Sequence, residues 1–395
     1  MKKVFQYLFH IDHWLITIFA FVILWLLYAA VSGISIFSPV NRALSDMSAT
    51  DLFFQIANKS SQINQDITIV DIDGEYDRGN IAKCIAEVDS LEPWIIGVDI
   101  IFESIKGDPE GSMNLLQTAG HTRSKAIWAT KLLDYDNEDK SFHGQSNSFF
   151  CDSLTLQTGF TNLNDNLERT TIREMLTAEK HDDDLKYSFP LAIALALGDS
   201  VSIEPEGKLS IDYGTTFPVV PYNSIESHKD LIANHIVIIG STTDEADMWR
   251  TPIGKMSGVM IQAYSLNTLR CHSDIKHYSI WINILVAFIL CYLSEVLIDV
   301  GFQWLRRRNN ATSTFLIDSK LLLRVATIVW MALVTWAILM VFIYHNKYFN
   351  AVLILAALGL LVESRRIYNA AIKALSKNHN WWILRNSLIN NNIFK

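Results

Sequence analysis

Hydrophobic positions fall along the chain in two regimes. In the first, long runs contain no charge at all: residues 14–31 (WLITIFAFVILWLLYAAV), 278–294 and 325–344. Each approaches the roughly 20 apolar residues that cross a bilayer as a helix. A fourth run, FNAVLILAALGLLV at 349–362, is shorter and suits a thin crossing or a re-entrant hairpin. This pattern predicts transmembrane helices at 14–36, 278–300, 321–344 and 349–363. The first is too long and too rich in tryptophan for a cleaved leader, so it reads as a retained anchor.

In the second regime, over 37–277, short apolar runs alternate with amphipathic ones. DITIVDID (66–73) is mostly β-branched, as in a strand buried on both faces. In NIAKCIAEVDSLEP, Ile81, Ile85 and Val88 share one helical face, and Pro93 closes that helix. WIIGVDIIF (94–102) follows as a second buried strand, which completes a βαβ unit with a right-handed crossover. A helix at 110–121 and a strand at 125–133 come next, then a polar stretch at 134–150 that reads as an exposed loop. Strand pairs are expected at 159–166 and 170–179, and a helix, FPLAIALALG, capped by Ser188 and closed by Gly198. KLSIDYG and FPVVPY look like sheet-edge strands, HIVIIG (235–240) like a buried one, and 257–270 like a helix leading to the second span. The expected fold is an α/β domain with a mostly parallel central sheet, flanking helices and an antiparallel edge, joined to an α-helical transmembrane region.

Charge orients this plan. Lys2 and Lys3 precede the first span; Arg306, Arg307, Arg308, Lys320 and Arg324 lie between the second and third; Arg365, Arg366, Lys373, Lys377, Arg385 and Lys395 follow the fourth. By the positive-inside rule, residues 1–13, the 301–320 loop and the 364–395 tail are cytoplasmic, and 37–277 is extracytoplasmic. That domain holds 19 Lys and Arg against 36 Asp and Glu, a net of −17, while the rest of the chain carries +9. So acidic a surface excludes nucleic acid and anionic lipid as its ligands. Cys84, Cys151 and Cys271 share it, and an oxidising compartment permits one disulfide among them. No CxxC or paired-histidine spacing marks a zinc site.

Two constellations invite a chemical reading. Asp71, Asp73 and Asp99 sit at strand ends, where α/β folds bind ligands, and such acids could hold a divalent cation or cap loops. In HIVIIGSTTDEADMWRTPIG, Ser241, Thr242 and Asp247 follow a strand and Gly240. A phosphate loop needs more glycine and GK[ST]; a nucleophile elbow needs G-x-S-x-G and a placed histidine. His235 lies at the opposite end of the strand, and Asp247 is expected to pair with Arg250. The other histidines are scattered without ligand spacing. No catalytic residue, metal or cofactor is expected, and the six residues Asp71, Asp73, Asp99, Ser241, Thr242 and Asp247 stand as candidate ligand-binding positions.

Several ordered motifs over roughly 37–275 resemble the CHASE type 2 domain, an extracytoplasmic sensor module of bacterial signalling proteins. DITIVDID is similar to its first strand, GVDIIFES to its second, SFPLAIALALG to the helix after the variable region, and IDYG…FPVVPY to its edge strands. The block HIVIIGSTTDEADMWRTPIGKMSGVMIQAYSLNTL is similar to its strand, G-x-[ST], Asp, T-P-x-G and G-V-x-I-[HQ]-A series. The chain departs from the pattern in GEYDRGN after the first strand and in Gln262. In that family the spans commonly lead into a kinase or cyclase; here 365–395 follows the last span. The resemblance therefore implies a sensor subunit of a bacterial inner membrane, commonly a homodimer. It would bind a small ligand or periplasmic partner and act on a separate cytoplasmic effector through Arg306, Arg307 and Arg308 and the lipid- or partner-facing Trp381 and Trp382. An envelope scaffold and a metal-dependent hydrolase are the rival readings.

Overall fold

β-Branched runs with no polar interruption build the centre of the sheet. The computed structural model describes residues 9–32, 54, 62–105, 108–163, 171–200, 207–274, 276–308, 320–345 and 347–376. Chain contacts separate Ser45–Lys276 from a second unit of Met1–Leu44 with His277–Lys395.

In the first unit, strands β1 (Gln62–Ile63), β2 (Ile67–Asp71), β3 (Ile95–Val98), β4 (Ala126–Asp136), β5 (Ser141–Ser146) and β6 (Thr158–Phe160) come first. β7 (Glu174–Leu176), β8 (Ala178–His181), β9 (Asp184–Tyr187), β10 (Lys208–Ser210), β11 (Thr215–Thr216) and β12 (Val219–Pro221) follow. β13 (Ile236–Gly240), β14 (Met248–Thr251) and β15 (Gly254–Ser257) complete the set. The helices are α2 (Arg78–Ser90), α3 (Pro109–His121), α4 (Cys151–Leu154), α5 (Phe189–Leu197) and α6 (Gly258–Cys271).

Among the described residues the main sheet has nine strands in the order β12-β2-β13-β3-β4-β5-β8-β9, with β6 also on β4. β12, β2, β13, β3, β4 and β6 run parallel; β5 and β9 pair antiparallel with β4 and β8. β3 stops at Val98, short of the expected Phe102, because its partner β13 ends its register there. The polar 134–150 stretch is no open loop: β4 continues to Asp136 and turns into β5. Pairing with the β4 backbone orders this strand although its residues are mostly polar, and of the six only His143 is exposed. KLSIDYG is not an edge of the main sheet either, since β10 pairs with β7.

Alternate residues face opposite layers. Val70, Ile96, Val98, Val237 and Ile239 pack with Ile81, Ile85, Val88, Leu115 and Trp128 in one core, which covers α2 and α3. On the other face α5 lies so close that a Cβ at Gly159 would stand 2.6 Å from the Phe189 Cα. Ser188 holds the N-cap position of α5, but its hydroxyl makes no capping bond and is buried without a partner among the described residues. Gly198 ends α5 with φ of 89°, the left-handed conformation that favours glycine. The four cysteines are free, so no disulfide joins Cys84, Cys151 and Cys271.

The second unit contains α1 (Ile11–Ser32), α7 (Ile280–Arg308), α8 (Lys320–His345) and α9 (Ala351–Ser376). Trp14 and Phe21 of α1 pack against Tyr292 and Phe288 of α7 at ring distances of 4.8 and 5.7 Å. On α8, the Trp330 Nε1 donates to Ser294 Oγ of α7 at 2.9 Å. Among the described residues three helices are long and apolar enough to cross a membrane, over Ile11–Ala30, Ile280–Leu305 and Arg324–Val341. α9 is not among them: its apolar start gives way to Glu363, Arg365 and Arg366. Arg306, Arg307 and Arg308 end α7, whereas Trp381, Trp382 and the basic residues beyond Ser376 lie outside the described residues.

Candidate functional site

The parallel register delivers the ends of three strands to one edge. Asp71 is level with Gly240, and Val98 with Ile239, so Asp71, Gly240 and Asp99 form a row across β2, β13 and β3. Gly240 keeps that row tight. A Cβ there would meet Val259 Cγ2 of α6 at 2.9 Å and Asp99 Cβ at 3.4 Å.

Loop backbone and hydroxyls engage most of the polar groups. Asp71 accepts from the Thr242 backbone N–H at 2.9 Å and from its hydroxyl at 2.7 Å. It also accepts from the Asp73 N–H at 3.1 Å. Asp73 in turn accepts from the Thr243 hydroxyl. Ser241 Oγ accepts from the Asp244 N–H at 3.2 Å, and Asp244 from the Ala246 N–H at 3.0 Å. These bonds sew the β2 and β13 loops together, the capping role open to the acids from the start.

Asp247 accepts from Trp249 Nε1 and from the Gly258 N–H, both at 2.9 Å. The second bond puts a carboxylate on the N-terminus of α6, where the helix dipole favours it. The expected pair with Arg250 does not form among the described residues: Asp247 ends a 3-10 turn and its carboxylate is turned onto Trp249 and Gly258, while Arg250 lies in the strand that follows.

Asp99 differs from its neighbours. No side-chain hydrogen bond reaches it among the described residues. Part of the residue's surface remains open, yet its carboxyl is enclosed by protein. Burial first, and then the charge of Asp247, push it up to about 7. Among the described residues Asp71, Asp73 and Asp99 are not a group whose ligand atoms lie close enough to share a metal ion.

Two features escaped the sequence reading. Arg78 is 9% exposed, donates to Ser112 Oγ at 2.8 Å and lies over the Phe102 and Phe149 rings at 5.6 and 5.8 Å. Its signal was the spacing to Ile81, Ile85 and Val88, the buried face of α2. The other is an exposed group, Asp136, Asp139 and His143, whose ligand atoms lie within 4.8 Å of one another. His143 bridges Asp139 at 3.0 Å and Asp182 at 2.7 Å. The hydrogen bond that the imidazole donates to Asp182 raises His143 above its ordinary value and lowers Asp182. The Asp-x2-Asp-x3-His spacing of the hairpin was its sequence trace.

His235 immediately precedes β13, its Nδ1 2.8 Å from Ala233 O, at the opposite end of the strand from Ser241. No base stands beside that serine among the hydrogen bonds of the described residues.

A family model described as the CHASE2 domain matches residues 18–296. No curated protein and no solved structure matches the chain.

Proposed function

The chain belongs to the CHASE2 domain family, and on that premise we propose that it is a membrane-anchored sensor subunit without catalytic activity of its own. CHASE2 is a family of sensor domains; the membrane topology, the ligand and the effector are the further steps. The α/β unit faces the outside of a bacterial inner membrane, binds a small ligand or periplasmic partner, and acts as a homodimer. Its ligand edge is the row Asp71–Gly240–Asp99 with Ser241, Thr242 and Asp247.

The observation that supports this most is the bond from Asp247 to the first residue of α6. α6 ends at Cys271, and the chain enters the candidate span α7 at Ile280. A change at the strand ends reaches α6 through Asp247, and α6 is covalently continuous with the span. Output passes to a separate cytoplasmic effector through Arg306, Arg307 and Arg308 and the 364–395 tail with Trp381 and Trp382, which also meets lipid.

Two measurements test this. Cys271 is exposed, so a membrane-impermeant maleimide should label it on intact cells; labelling only after lysis would overturn the topology. Removing 364–395 should abolish co-purification of cytoplasmic proteins with the full chain, and persistence of every partner would remove the output role.

A scaffold reading draws on the same geometry, since Asp71, Asp73 and Asp247 are all engaged internally. Screening small metabolites by thermal shift on the full chain separates the two: one saturable stabiliser supports sensing, and none supports scaffolding.

A further inference from the structure

The helical unit contains a charged layer that apolar packing does not require. Glu295 and Asp299 lie one turn apart on α7, and Arg365 of α9 reaches both. Its Nη1 donates to Glu295 Oε1 at 2.8 Å and its Nη2 to Asp299 Oδ1. The guanidinium covers the Phe302 ring at 5.4 Å. From α1, His13 Nδ1 stands 3.9 Å from Glu295 Oε1, and both side chains are 1% exposed. Tyr368, one turn beyond Arg365, donates to Asp12 Oδ1 of α1 at 2.8 Å. Three helices thus meet on one set of charges.

The other end of the α7–α9 pair is held without charge. Asn350 N–H donates to Asn283 Oδ1 at 2.8 Å, and the Tyr278 and Phe349 rings stack at 4.6 Å. The pair is fastened twice, by chemistry of very different strength of solvation.

Buried ion pairs contribute little net stability, because desolvation offsets their attraction. This one is also incomplete: among the described residues Glu295 Oε2 is buried with no hydrogen-bond partner. A partly satisfied polar layer is a poorer solution than an apolar contact. A poor static solution that nonetheless fixes one helix register is suited to a packing that can be exchanged for another.

We propose that Arg365 is a releasable latch. Its fork to Glu295 and Asp299 holds α9 against α7 in one of two packings, with the Asn283–Asn350 end as pivot. Opening the fork frees the stretch of α9 beyond it, Arg366–Ser376. The latch belongs to the helical unit alone and does not rest on the sensory reading.

Double electron–electron resonance on the full chain in nanodiscs reads this directly, in a Cys271→Ser background. Labels at Val300 and Ala371, both exposed, report the latched end; labels at Ile280 and Val352, both exposed, report the pivot. The parent should give one narrow Val300–Ala371 distance. Arg365→Gln should add a second distance, shifted by on the order of one helical turn, ~5 Å, while the pivot distance stays fixed. Arg365→Lys keeps the charge without the planar fork and should populate both distances. An unchanged Val300–Ala371 distance in Arg365→Gln overturns the latch. So does broadening of both pairs together, which marks static glue. If Arg365→Gln fails to fold, a single parental distance in Arg365→Lys overturns it equally.

Discussion

Replacing Asp99 by Asn removes a titration while keeping the size and polarity of the protonated acid. Burial and Asp247 raise Asp99 from an ordinary 3.8 to about 7 in the folded chain, a difference of about 3 units. At about 1.4 kcal/mol per unit, a fully enclosed group would give ~4 kcal/mol. Asp99 keeps some contact with solvent, and screening reduces the expected effect to ~2 kcal/mol. The sign follows from which state holds the proton. Below about pH 4 both folded and unfolded chains are protonated, and Asp99 contributes nothing. Between about 4 and 7 the unfolded chain releases its proton while the folded chain keeps it, so stability falls as pH rises. Above 7 the loss is complete. Denaturant unfolding of the full chain in detergent, for parent and Asp99→Asn at pH 4.5 to 8.5, isolates this group by difference. The variant should exceed the parent only slightly near pH 4.5, by about 0.5 kcal/mol, and by about 2 kcal/mol at pH 8. Asp247→Asn, which removes the second cause, should move the upper end of the window below 7. A pH-independent difference, or a variant less stable at pH 8, would refute the reasoning.

Asp247→Ala deletes the bonds to Trp249 and to the start of α6, and should cost about 1.5–3 kcal/mol by chemical unfolding; a loss under about 0.5 would show that α6 does not depend on it. Gly159→Ala forces a Cβ against the Phe189 backbone, so β6 and α5 must separate, lowering stability by about 1–3 kcal/mol in the same assay. His143 should titrate above the ordinary imidazole range by NMR and fall towards it in Asp182→Asn, with Asp139 still holding it up; an unshifted midpoint in the parent would contradict the contact. Cys271 should react with a maleimide in the folded chain, whereas Cys84 and Cys151, pushed up by burial to about 12 and about 11, should react only on unfolding.

The elements were legible where local pattern decides them. The run HIVIIG and the stripe Ile81, Ile85, Val88 each encode a strand or a helix face without help from elsewhere. Strand order is different. β13 comes last of the sheet strands yet inserts between β2 and β3, a non-local pairing that no window of sequence contains. β5 was missed because its polar residues look like a loop, while its order comes from the backbone of β4. Arg365 was read as a topological charge of a basic tail. Two carboxylates on α7 engage it instead, a match that spacing along the chain cannot reveal.

The same limit explains the loop after β13. Strand, glycine, hydroxyls and acids imitate an active site because both uses need polar groups at a strand end. What separates them is whether those groups are already engaged, and this depends on partners from β2 and α6. Asp71 holds Thr242, Asp73 holds Thr243, and Asp247 holds Trp249 and Gly258. Asp99, just beyond β3, is the acid of the row that this stitching leaves out, and it is the one whose charge the enclosure opposes. A ligand with a hydrogen-bond donor or a positive group would gain most there, since it would satisfy a carboxyl that no side-chain hydrogen bond reaches among the described residues. Asp99→Asn therefore does double service: it should raise stability at pH 8 and weaken any such ligand, and a variant that changed neither would remove Asp99 from the site.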